Sequence, residues 1–192
     1  MTHENTLIRQ LVHTTTNWRN LALILVGSAI IAIAAQVSVP MFPVPMTLQT
    51  FAISVIGLTF GARLAGLTLL AYLAEGALGL PVFANGGAGL LKLMGPTSGF
   101  LWGFVGMAFL TGWMYENGFS RGVVRLSIAA LVPAALLYIP GVLGLWALTP
   151  LELPSAVNAG AVPFLVGDIV KSALAALVVG GGLAAVNSRK HS

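Results

Sequence analysis

The sequence predicts an all-α, polytopic membrane protein with six transmembrane helices, and three observations carry that prediction. Hydrophobic residues make up 57% of the 192 positions, and the mean hydropathy is +0.95. Only 7% of residues are charged, against about 25% in ordinary soluble domains. Nine basic and five acidic residues cannot coat a water-soluble globule or keep a chain of this length disordered. The apolar residues also fall into long continuous runs, not the alternating segments of a β-barrel. The net charge of +4 is spread over chain ends and loops and makes no basic patch for nucleic acid. With no cysteine, disulfides and thiolate chemistry are excluded.

A helix needs about 20 mostly apolar residues to cross a bilayer. The first run, 21–39, follows a polar segment, 1–20. The second, 46–60, begins after Pro40, Pro43 and Pro45. The third, 64–80, is short, and the fourth covers 99–115. The fifth, 123–148, contains Pro133 and Pro140, which predict a kink. The sixth covers 161–185 and leads into a tail, 187–192. No repeat or compositional break divides the chain, so a single membrane domain, 1–192, is expected, with its six-span bundle at 21–186. The longest connection, 81–98, carries Gly86, Gly87, Gly89, Gly95 and Pro96. A loop of this length in a compact domain is usually functional.

Basic residues orient the spans, because cytoplasmic loops collect Lys and Arg. Arg9, Arg19, Arg63, Arg121, Arg125, Arg189 and Lys190 all fall on one side. The opposite loops hold only Lys92 among basic residues. Both termini are therefore expected in the cytoplasm, with the 40–45, 81–98 and 149–160 loops facing out.

An ionisable group in mid-bilayer costs about 2.5–3.5 kcal/mol on the insertion scale and needs a partner or a purpose. Asp168 and Lys171 stand three residues apart on span six and share a helix face. Seven residues of span would place Asp168 about 10 Å below the outer surface. Glu75, Thr47, Gln49, Asn85 and Lys92 also fall toward the outer side. An outward-facing pocket under the 81–98 loop is expected, with Phe42, Phe83, Phe100 and Trp102 as apolar walls. Such a pocket suits a small ligand with an apolar body, an amide- or urea-like group and an anionic tail. His3, His13 and His191 are terminal, leaving no histidine in the bundle for a metal or a catalytic triad. Glu75 and Asp168 are the only carboxylates at membrane depth, so no aspartyl dyad exists. Gly86-Gly87-Ala88-Gly89 lacks the strand and Gly-Lys-Ser/Thr setting of a phosphate loop. An enzyme is not expected, and no cofactor is implied. Ser28 and Ala32 on span one form a small-residue pair suited either to packing within the bundle or to docking another membrane helix.

Three segments together resemble one family. They are Pro43-Val-Pro-Met-Thr-Leu-Gln-Thr-Phe51; Gly79-Leu-Pro-Val-Phe-Ala-Asn-Gly-Gly-Ala-Gly89 with Gly95-Pro-Thr-Ser-Gly-Phe100; and Val166-Gly-Asp-Ile-Val-Lys171. In this order and with this span count, the chain resembles the BioY family, the biotin-binding S components of energy-coupling-factor (ECF) vitamin transporters. The resemblance covers nearly the whole chain. It implies high-affinity capture of biotin from outside, and partnership with a T-type transmembrane protein and a pair of ABC ATPases. It also implies residence in the lipid bilayer of the cell (inner) membrane. By motif position Asn85, Asp168 and Lys171 match the family's biotin-binding residues. Gln49 falls within the first motif, and Lys92 lies in the loop. The alanine-rich docking helix common in S components is approximated by Ser28 and Ala32. Two alternatives stand beside this reading: an S component for another vitamin, and a self-sufficient ion-coupled carrier with Asp168 and Lys171 as proton relay.

Overall fold

The structure, a computed structural model, describes residues 17–189. Most of the expected N-terminal segment 1–20, with Arg9, and part of the tail, with Lys190, lie outside the described residues. The chain folds as a helical bundle of six crossings. Helix α1 (Asn17–Gln36) is followed by a two-stranded antiparallel hairpin, β1 (Ser38–Val39) and β2 (Met46–Thr47). Helices α2 (Gln49–Phe60) and α3 (Ala62–Ala77) make the second and third crossings. Two 3-10 turns, Ala84–Gly86 and Leu90–Leu93, lead to α4 (Ser98–Met114). The fifth crossing is split into α5 (Val123–Leu136) and α6 (Tyr138–Leu148). A short helix, α7 (Leu153–Gly160), and a 3-10 turn, Val162–Phe164, precede α8 (Leu165–Arg189), the sixth crossing.

Connectivity sorts the bundle into two ends. One carries the hairpin, the 3-10 turns and the start of α8; the other carries Arg19, Arg63, Arg121 and Arg125. These are called the hairpin end and the basic end below. Three stretches are individually long and apolar enough to cross a membrane: Trp18–Gln36, Val123–Leu148 and Leu153–Ala185. The other crossings are shorter. The 12 residues of α2 rise about 18 Å, well short of a hydrocarbon core about 30 Å thick. The expected second span, 46–60, therefore loses its first turn to the hairpin. Pro43 and Pro45 fall in the turn between the two strands, and the Gln49 N–H donates to Thr47 Oγ1 at 3.2 Å where the helix begins.

At the basic end α2 turns into α3 through one residue. Gly61 sits at φ 82°, a left-handed conformation that glycine adopts without steric cost. Glu116, beyond α4, accepts from the freed Ala62 N–H at 3.3 Å. The expected kink in the fifth crossing is a one-residue interruption at Leu137, which keeps helical φ/ψ, donates to the Pro133 carbonyl at 3.0 Å and accepts from the Gly141 N–H at 3.2 Å. Pro140 lacks an N–H, and its ring crowds the carbonyl four residues earlier, that of Leu136, where α5 stops. Helix α6 then lies against α4 so closely that a Cβ on Gly99 would stand 2.0 Å from the Pro140 carbonyl oxygen. The sixth helix starts at Leu165, not 161, because the preceding residues form α7 and the 3-10 turn. Asp168 thus lies in the first turn of α8.

Helix α8 packs on α5 and α2, α4 on α3 and α2, and α1 on α3. Much of the outer surface is apolar, including Leu25, Ile33, Leu143, Ile169 and Leu177, as lipid contact requires. Ser28 does not belong to that surface. It is 1% exposed and donates to Glu75 Oε1 at 2.7 Å, tying α1 to α3. Ala32 packs against the core. Of this pair, read as suited to packing or to docking, Ser28 is used within the bundle and Ala32 is partly buried against it.

Candidate functional site

The interruptions of the helices at the hairpin end leave a cavity of about 340 Å³, within the range of small-molecule sites. The hairpin loop supplies Met41 to Pro45, and the start of α2 supplies Gln49 and Thr50. The loop after α3 supplies Phe83, Asn85 and Lys92. Phe100 and Phe104 come from α4, and Leu137 and Tyr138 from the interruption in the fifth crossing. Phe164, Asp168 and Lys171 complete it. All five residues singled out in the sequence, Gln49, Asn85, Lys92, Asp168 and Lys171, line this one cavity.

Its polar centre is a closed network. Lys171 Nζ lies 2.6 Å from Asp168 Oδ1, an ion pair whose side chains are 12% and 5% exposed. Thr50 Oγ1 donates to the same carboxylate oxygen at 2.9 Å and accepts from Lys171 at 2.7 Å. Lys171 also donates to the Thr47 carbonyl at 3.3 Å. Tyr138 donates to Asp168 Oδ2 at 2.5 Å. The cation and the two hydroxyl donors offset part of the cost of burying the carboxylate. Its place in the first turn of α8 adds the favourable helix dipole.

Gln49 is 3% exposed and held from both ends of its amide. It donates to Tyr72 OH at 2.8 Å and accepts from Thr47 Oγ1 at 3.0 Å, while Tyr72 donates to the Val82 carbonyl at 3.0 Å. Asn85 sits on a turn clamped to the end of α1. The Gln36 side chain donates to the Phe83 carbonyl and accepts from the Gly86 N–H at 2.9 Å. Ser38 donates to Asn85 Oδ1 at 2.9 Å. Asn85 holds φ 57°, a left-handed conformation that asparagine tolerates better than most residues. Lys92 is solvent-accessible and has no anionic partner among the described residues, so its ammonium is open to a ligand anion.

Two expected pocket members lie elsewhere. Trp102 is 53% exposed on the bundle surface, where its indole donates to the Leu93 carbonyl at 3.3 Å. Glu75 does not line the cavity and is engaged by Ser28. Phe42, Phe83 and Phe100 do line it. Sequence reasoning missed Thr50 and Tyr138. The available signal was a tyrosine in an apolar span beside Pro140, and a threonine adjacent to Gln49. Among the described residues no group of three His, Asp or Glu gathers as a metal site.

Comparison with known proteins places this geometry. The family model described as the BioY family matches residues 6–188. A biotin transporter BioY2 of Lactococcus lactis subsp. cremoris is 33% identical over 92% of this chain and 95% of its own length. A probable biotin transporter BioY of Pyrococcus horikoshii is 34% identical over 83% of this chain and 93% of its own. A crystal structure of the S-component for biotin from an ECF-type ABC transporter superposes with a TM-score of 0.78. That superposition covers 86% of this chain and 93% of the other at 23% identity, and it establishes the shared fold. By the extent of the family match and the identity to its relatives, this chain belongs to the BioY family.

Proposed function

We propose that this chain is the biotin-binding membrane subunit of an ECF-type uptake transporter. It captures biotin at the hairpin end, and a T-type transmembrane protein with a pair of ABC ATPases drives release inward. The subunit itself performs no covalent chemistry. The observation that carries the reading is the cluster of Asp168, Lys171, Thr50 and Tyr138 facing a 340 Å³ apolar-walled cavity in a BioY-family chain.

The chemistry of biotin fits these groups. Its compact bicyclic body meets Phe83, Phe100 and Phe104, and a ureido N–H meets the Asp168 carboxylate. The Asn85 amide donates or accepts at the opposite face. The valerate carboxylate pairs with Lys92, whose charge is uncommitted, whereas the Lys171 charge is already neutralised by Asp168. The excess of basic residues at the other end of the bundle supports a cavity that faces outside the cell and termini that lie in the cytoplasm.

Equilibrium binding of radiolabelled biotin to the purified, detergent-solubilised chain tests the reading. One biotin per chain, not displaced by excess thiamine or riboflavin, is expected. Displacement by either vitamin at concentrations comparable with unlabelled biotin would assign the cavity to another ligand. Uptake in a host lacking the T component and ATPases is expected to be absent. Uptake there that collapses with the proton gradient would favour a self-sufficient carrier.

A further inference from the structure

An ionised carboxylate offers about four lone-pair positions for hydrogen bonds. Asp168 has most of them filled by its own protein. Oδ1 takes both the Thr50 hydroxyl at 2.9 Å and the Lys171 ammonium at 2.6 Å. Oδ2 takes the Tyr138 hydroxyl at 2.5 Å. By this count one acceptor position is left, on Oδ2, for a molecule in the cavity. Resting on the biotin reading above, we infer that Tyr138 is a specificity-determining residue, holding Asp168 to a single ligand N–H donor and disfavouring ligands that bring two.

The donor is held from the scaffold side. Tyr138 is the first residue of α6, immediately after the interruption at Leu137. Helix α6 is pinned against α4 at Gly99 and again at Gly141, where a Cβ would stand 2.2 Å from Phe100 Cε1. With its backbone pinned there, the phenol cannot withdraw by a sliding of α6. Rotating the ring away would break a charge-assisted hydrogen bond to a carboxylate that is only 4% exposed. Lys171 and Thr50 are bonded to each other as well as to Oδ1, so that oxygen is not freed more easily. Tyr138 is thus the one donor whose removal opens a second position on Oδ2 without dismantling the ion pair.

The matching ligand pair is biotin and 2-iminobiotin. A cyclic urea brings one N–H to each side of its carbonyl. In protonated 2-iminobiotin the carbonyl oxygen is replaced by a further N–H donor, so adjacent N–H groups converge on one acceptor. Any repulsion from Lys171 acts on 2-iminobiotin in both wild type and variant, and cancels from the comparison.

The experiment is isothermal titration of each ligand, at neutral pH, into the purified full-length wild type and Tyr138→Phe. The ratio of the two dissociation constants is expected to move about tenfold toward 2-iminobiotin in the variant. Tyr138→Leu, which also removes the hydroxyl, is expected to move it the same way and serves if the first variant does not fold. Loss of both ligands by the same factor, an unchanged ratio, or a shift toward biotin would overturn the inference and leave Tyr138 as a strut between α6 and α8. The wild-type titration separates the two levels of failure. Wild type that binds no biotin removes the functional reading and this inference together. Wild type that binds biotin, with an unmoved ratio in the variants, removes only the role given to Tyr138.

Discussion

At the basic end of the bundle Leu58, Leu126, Ala129, Ala130, Ala176 and Val179 close on one another, with the Tyr115 ring buried among them, and the cluster holds no charged side chain. At the hairpin end the same kind of chain stays open around Asp168, Lys171, Thr50 and Tyr138. The two ends differ in whether the helices run through. Helices α5 and α8 pass each other unbroken at the basic end, and alanines let them approach closely. Toward the other end α2 starts late, the fifth crossing is interrupted for one residue at Leu137, and α8 begins only after a separate turn. Every such interruption frees backbone groups that lipid cannot satisfy, so irregular backbone at this depth must line a cavity or be buried in protein. Here Thr47 takes the Gln49 N–H at the start of α2, Gln36 and Tyr72 take the Gly86 N–H and Val82 carbonyl of the loop after α3, and the space that remains is the site.

The comparison is broken most forcefully at the ion pair. Lys171→Met leaves a buried carboxylate without its cation, a loss of about 3–5 kcal/mol when one partner of such a pair is removed. Biotin affinity by titration is expected to fall more than about a hundredfold, with a lower melting temperature. Retained affinity would mean that the ion pair is not part of the site.

Next in size, Ala129→Leu tests the closed end. Ala129 is fully buried, and overpacking of this kind costs about 1–3 kcal/mol. The melting temperature is expected to drop while the biotin dissociation constant stays within about twofold of wild type. A large change in affinity would show that the two ends are not separable. The smallest effect is expected from Lys92→Ala. Its ammonium is exposed, so salt screens its pairing with a ligand anion. Affinity is expected to weaken about fivefold at low salt, with the deficit shrinking as salt is added and no change in melting. An unaltered affinity at low salt would move the ligand's anionic end away from Lys92.

The sequence made legible what composition and charge control. The six crossings follow from apolar runs, and the gathering of Gln49, Asn85, Lys92, Asp168 and Lys171 follows from polar groups that cannot be left in lipid. What stayed hidden depends on where helices stop. The hairpin at Ser38–Thr47 and the late start of α2 arise from pairing across a proline-rich turn, which hydropathy does not register. The start of the sixth helix was placed too early because the segment before Leu165 is apolar yet folds as a separate helix and turn. Tyr138 was passed over because a lone tyrosine in an apolar run looks like packing. Its contact with Asp168 appears only once the fifth and sixth crossings are packed together. Trp102 and Glu75 went the other way: in depth they suited a pocket, but their helix faces turn them elsewhere.

The most direct test of the central claim is titration of biotin into Asp168→Asn beside wild type in the same detergent. The substitution keeps size and shape but replaces a charged acceptor by a neutral amide, which costs about 1.5–3 kcal/mol for a charge-assisted hydrogen bond. The account predicts one biotin per wild-type chain and a dissociation constant roughly ten- to 150-fold weaker in the variant. Equal affinities in a folded Asp168→Asn chain would contradict it.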